Sequence, residues 1–154
     1  MAATERAPRP VPQPPSGPDA DAALVLGMAS TALPFARSRE AEAERWLRIL
    51  RLSGQAGVAL QALGVSEAPL EATHHNAHGE PAAEMQPRDE DVVATVSETA
   101  LQCARERGAH TACTSDVLVA VMQVYREDFD CVLRAHGTDR DEVLERLSAD
   151  MSSA

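Results

Sequence analysis

The side chains best equipped for chemistry in this 154-residue chain are five histidines and three cysteines. Three of the histidines fall together in His74-His75-Asn76-Ala77-His78. On a helix His74 and His78 would share a face, as two zinc ligands require. No HExxH glutamate accompanies them, and Gly79 and Pro81 argue for a loop. Glu71, Glu80 or His110 could complete a coordination sphere only through the fold. His74, His75 and His78 are therefore candidates for a metal-dependent protein or enzyme, but they read first as a solvated polar loop. His110 and Cys113, with Asp116 nearby, offer the types needed for a thiol nucleophile and its base. Adjacency in sequence does not supply the geometry, so a non-enzymatic protein without a cofactor is the expectation.

Charge and composition narrow the partners. All 14 basic residues are arginine, so no Walker A motif, which needs its lysine, can exist here. The formal net charge of −10 argues against nucleic acid and anionic membrane surfaces, and suits basic ligands or simple solubility. Cys103, Cys113 and Cys131 show no CxxC spacing and sit in apolar or helical contexts, so buried free thiols in a reducing cytoplasm are expected. No leader-like apolar stretch and no run of 18 apolar residues points to secretion or a membrane.

The elements that must position these residues read as helices. Aromatic residues make up only 3% of the chain, so its core must come from Leu, Val, Ala and Met, which favours close-packed helices. Residues 1–18 carry six prolines and read as a disordered tail, in which R-P-V-P-Q-P-P would also suit an SH3-like groove. Asp19 and Asp21 open a helix that Pro34 stops. Ser38 caps the next, which presents Trp46, Leu47, Ile49, Leu50 and Leu52 to the core and ends before Ser53-Gly54. A short helix with Val58, Leu60 and Leu63 facing inward closes at Gly64. Pro69, Gly79, Pro81 and Pro87 make residues 73–88 a linker. A helix opened by Asp89, Glu90 and Asp91 runs to Gly108. Thr114-Ser115-Asp116 caps an apolar helix, a short helix burying Phe129, Val132 and Leu133 closes at Gly137, and Thr138-Asp139-Arg140-Asp141 starts a final one. The last residues, 149–154, read as frayed.

Gly64 and Gly137 lie 73 residues apart, and at that offset Leu60 matches Leu133, Ala62 matches Ala135 and Val58 matches Cys131. The apolar helices upstream match with a gap of one or two residues. Each unit is too small to bury its own apolar faces, so two units sharing a core are expected.

The second half resembles the Clp repeat found at the N-terminus of Clp-type AAA+ unfoldases, A-x-x-x-G-x-x-x-x-x-T-x-x-[IL]-L followed by an apolar helix, a short helix ending in L-G and a last helix. Ala104, Gly108, Thr114, Val117 and Leu118 match its first part, and Val132, Leu133, Gly137, Val143 and Leu147 the rest. Leu63-Gly64-Val65 after VALQA matches in the first half, and the resemblance spans about residues 20–148. It implies an all-α domain of two pseudo-symmetric four-helix repeats packed together, repeat one at about 19–72 and repeat two at 89–148. It further implies a docking domain for adaptors and substrates. Some Gram-positive members bind phosphorylated arginine through a glutamate directly after the motif threonine. Here that position is Ser115 in repeat two, which offers no carboxylate to a guanidinium. The alignment puts Glu42 there in repeat one.

On this reading the chain is a standalone docking domain without ATPase modules, serving as accessory factor, adaptor or decoy for a Clp protease. Its partners are a protein or peptide, such as Clp ATPase or peptidase subunits or their substrates. A groove between the repeats could instead sequester an apolar small molecule. The contact candidates are Glu42, Arg45, Trp46, Thr114, Ser115, Tyr125, Glu127 and Asp128, with Trp46 also expected to anchor the core. The acidic residues at helix starts could form a docking edge for basic segments, although dipole complementarity alone accounts for them.

Overall fold

Helix caps set the boundaries. In a computed structural model, which describes residues 16–65 and 91–152, the Asp19 carboxylate accepts the Ala22 amide at 2.8 Å and opens helix α1, Ala20–Ala32. Pro34 cannot continue it, and a 3-10 turn at Leu33–Phe35 follows. Ser38 accepts the Ala41 amide at 3.0 Å and starts α2, Arg39–Leu50. Next come α3, Gly54–Ala62; α4, Val92–Glu106, capped by Asp91; α5, Thr114–Tyr125; α6, Glu127–Ala135; and α7, Arg140–Ser152. The described residues form no strand, only an isolated parallel bridge between Pro18 and Ala112. The fold is all-α.

The central element is α5. It packs against each of the other six helices, and Thr114 through Leu118, Ala120 to Met122, and Tyr125 are all buried. A helix enclosed on every side has no polar face to spare, which is why this segment is apolar almost throughout. Trp46, Leu47 and Leu50 from α2, Leu60 from α3 and Phe129 and Leu133 from α6 complete one continuous core around it.

The two halves of the chain are joined by specific polar contacts as well as packing. Trp46 Nε1 donates to Tyr125 Oη at 3.0 Å inside the core. The His136 ring, 1% exposed, meets both Glu44 carboxylate oxygens at 2.9 and 3.1 Å. Arg39 donates to Asp128 at 3.2 Å and to the Val124 carbonyl at 3.0 Å, with its guanidinium 5.1 Å from the Tyr125 ring centre.

α3 and α6 end alike. Val65 N bonds the Leu60 carbonyl at 3.0 Å as Thr138 N bonds Leu133, and Gly64 and Gly137 take φ of 86° and 87°. That left-handed turn is one that glycine enters without a Cβ penalty.

Several expectations need correction. Thr114 does not cap α5. Cys113 occupies the cap position and its amide donates to Asp116 at 2.9 Å, while the Thr114 hydroxyl accepts the Ala56 amide of α3 at 3.2 Å. Val58 points outward and is 61% exposed, because Ala56, Ala59 and Leu60 take the inner face of α3. Leu52, just beyond the end of α2, is also exposed. The cysteines are free but not buried: Cys131 is exposed and the other two are partly so. Ser16, Gly17 and Asp19 bond along the His110–Ala112 loop, which ties Ser16 and Gly17 to the helical fold. At the other end α7 continues through Ser152, with an Arg146–Asp150 pair at 3.8 Å on its last turns. Asp89 and Glu90 lie outside the described residues.

Candidate functional site

Three helix starts meet at one open cleft of about 680 Å³. The start of α1 contributes Asp19 and Asp21, and the first turns of α3 contribute Gly54, Gln55 and Val58. The start of α5 contributes Cys113 and Thr114, and the end of α4 and the loop after it contribute Arg107, Ala109 and Thr111. The walls are held from behind. Thr114 bridges α5 to the first turn of α3 through the Ala56 amide, and Gly54 leaves room for that hydroxyl with φ at 64°. A side chain at Gly54 would overlap Thr114 Oγ1. The Asp19–Ala112 and Ala112–Gly17 backbone bonds, at 2.8 and 3.0 Å, tie the start of α1 to the loop.

Electrostatically the cleft is mixed. Arg107 grips Asp116 through Nε at 3.0 Å and through Nη2, and Asp116 is nearly buried. Its hydrogen bond to Asp116 raises the Arg107 pKa further, so the guanidinium remains charged throughout the usable range. Because Asp116 neutralises it, the charge left on the rim is that of Asp19 and Asp21. Asp19 is already occupied in capping α1. The group bonded to the Cys113 thiol is Arg107 Nη2 at 3.6 Å, not a histidine. The lining presents hydroxyls, an amide side chain and one exposed valine. Cys103, on α4, has its thiol pushed up mainly by burial and secondarily by Asp116 and Glu106.

Of the contact candidates named from sequence only Thr114 lines this cleft, joined there by Cys113, the thiol considered as a nucleophile. Trp46 and Tyr125 meet in the core, and Glu42 is buried on α2. Arg45 donates to the Ala32 and Phe35 carbonyls at 2.8 and 3.5 Å, closing the end of α1. Ser115 is buried, and its hydroxyl has no hydrogen-bond partner among the described residues. Counted from the caps Ser38 and Cys113, Ser115 corresponds to Glu40, and Glu42 to Val117. Asp128 pairs with Arg39 and Glu127 is exposed at the start of α6, away from the cleft lining. His74, His75 and His78 lie outside the described residues. Among the described residues no three potential metal ligands cluster. Asp19, Gln55, Arg107 and Thr111 were not legible as site residues because they come together only through the packing of α3 against α5 and the backbone bonds from Asp19 and Gly17 to Ala112.

No protein-family model, no curated protein and no solved structure matches this chain.

Proposed function

We propose that the chain is a non-enzymatic docking module of two pseudo-symmetric helical repeats, resembling the Clp N-terminal domain. In this reading it receives a protein or peptide segment in the cleft between α1, α3 and α5. Packing supports the repeat. Exchanging α1 with α4, α2 with α5 and α3 with α6 turns the α2–α6 contact into α5–α3, and α1–α2 into α4–α5. The exchanged helices α2 and α5 are both 12 residues long, and α3 and α6 both 9. The matching turns at Gly64 and Gly137 add a third correspondence. Residues 66–90, between the two halves, lie outside those described.

The observation that carries the function is the position of the cleft on the seam, with five lining residues from each half. Such junctions are where helical folds place ligands. The interior of the seam is filled by Trp46 and Tyr125, so the proposal places the partner at this outer cleft rather than in an apolar channel. As an accessory factor, adaptor or decoy of a Clp protease, the module would engage Clp subunits or their substrates there.

A photo-crosslinking amino acid at position 58, used in lysate of the native host, tests this. Clp ATPase or peptidase subunits, or a defined set of clients, should be captured, and Gln55→Arg together with Thr111→Arg should abolish capture without altering the melt. Capture that survives those two changes, or no capture by well-folded protein, would sink the proposal.

A further inference from the structure

We infer that the outward face of α1 is an interface with a second copy of this chain, two α1 helices crossing antiparallel near Gly27. Between Asp21 and Arg37 there is no charged residue, in a chain where 25% of residues are charged. Ala23, Leu24, Gly27, Ser30 and Thr31 are exposed on this helix. Leu24 is 55% exposed, and Phe35, in the turn that follows, is 75% exposed. The two hydroxyls on the face are turned back on their own backbone: Ser30 donates to the Leu26 carbonyl at 3.0 Å and Thr31 to Met28 at 2.9 Å. Their protons are therefore already used, and the face presents itself as nearly apolar. A helix without a polar side is normally covered on all sides.

Gly27 adds a separate observation. It sits in mid-helix, where glycine weakens a helix relative to alanine. Nothing among the described residues requires it, since a Cβ there would meet none of their atoms within 4 Å. A backbone bare at that point admits the close approach of another helix.

Charge selects the occupant. Two copies of a chain with net charge −10 repel over most of their surfaces. They can meet over this long uncharged face without opposing like charges. Antiparallel crossing also brings the Asp19–Asp21 end of one helix towards the exposed Arg37 end of the other, and the two-fold makes that complementarity count twice. Helix α1 is about 20 Å long at its 13 residues. The buried area then falls at the low end of specific interfaces, below about 1,200 Å². The dimer is accordingly weak and reversible.

Asp19 and Asp21 also line the cleft, whereas Leu24 and Gly27 do not, so substitutions at those two positions test the interface without altering the cleft lining. Sedimentation equilibrium of the full chain from micromolar to near-millimolar concentration should give a mass rising from 16.4 kDa towards twice that value. Leu24→Arg, at an exposed site, should hold the mass at 16.4 kDa throughout with an unchanged circular dichroism spectrum. Gly27→Ala should raise the melting temperature of the monomer while weakening association about tenfold, because its methyl separates the two backbones. A wild type that stays monomeric, as it would if another protein covered this face, overturns the inference. So does a dimer that survives Leu24→Arg, or one that Gly27→Ala leaves equally tight.

Discussion

Tyr125→Phe removes a bond across the seam. The substitution keeps the ring beneath Arg39, so the cation–π contact and the packing remain, while the hydroxyl that accepts from Trp46 Nε1 at 3.0 Å is lost. Both rings are buried, so water cannot replace the acceptor. A buried hydrogen bond contributes about 1 kcal/mol, and stranding its donor costs about 1–3 kcal/mol in all, so we expect a loss of about 2 kcal/mol. For a chain of this size that corresponds to a fall of roughly 4–8 °C in melting temperature. Trp46 is the only tryptophan, so its fluorescence reports the seam directly during urea unfolding. The control is the same change in a Trp46→Phe background, where there is no indole donor to strand, with unfolding in both backgrounds followed by circular dichroism. The cost of Tyr125→Phe should there shrink by about 1–2 kcal/mol. An equal cost in both backgrounds would show that the bond does not join the halves energetically.

Other outcomes follow from the same geometry. Arg126, between α5 and α6, has φ of 52° and is not glycine. Arg126→Gly should therefore stabilise the protein by about 1 kcal/mol in urea titration, and Arg126→Val should destabilise it. Gly54→Ala should cost about 2 kcal/mol or more, since its new methyl overlaps Thr114 Oγ1 at a positive φ. Burial raises the Cys103 pKa in the folded state above its ordinary 9.0, so the native state holds that proton more tightly than the unfolded chain. Stability from this group is complete below about pH 9 and declines as pH rises past it, and Cys103→Ala should flatten that decline in pH-dependent melts. In a thiol-labelling time course Cys131, which is exposed, should react ahead of Cys103.

The helix ends were legible in the sequence because each depends on local chemistry. Asp19 and Ser38 sit where their side chains reach amides three residues on, and Gly64, Gly108 and Gly137 supply the left-handed turns. Trp46 was legible as a core anchor because it falls on the apolar stripe of α2. The errors came where a tertiary contact outbid the local rule. Thr114 looked like a cap, but its hydroxyl serves α3 while Asp116 satisfies the Cys113 amide. Val58 looked like a core residue on an almost wholly apolar helix, where the sequence pattern does not single out the inner face; the flatter alanine side takes that role against α5 and α7. The cleft was illegible for the same reason. Its residues come from four elements whose separation in sequence, from Asp19 to Thr114, carries no spacing rule.

How the cleft is supported determines how it could bind. Its floor is fixed by the Thr114–Ala56 bond, its far wall by the two-point grip of Arg107 on Asp116, and its near wall by the backbone bonds of Ala112 to Gly17 and Asp19. The Ala112 bonds join main chain to main chain, and the other two contacts hold their side chains against a main-chain amide and a nearly buried carboxylate. A partner would thus meet a surface already in its bound shape and lose little binding energy to ordering it. Thr114→Val is the substitution that separates preformed from adaptable recognition. It keeps the volume but removes the acceptor of the Ala56 amide, freeing the first turn of α3. If binding depends on preorganisation, Thr114→Val should weaken capture through position 58 about tenfold while the cleft's other lining residues are unchanged. Undiminished capture, with hydrogen exchange confirming a loosened α3, would assign recognition to side chains that adapt on contact, with the cleft's rigidity serving the fold alone.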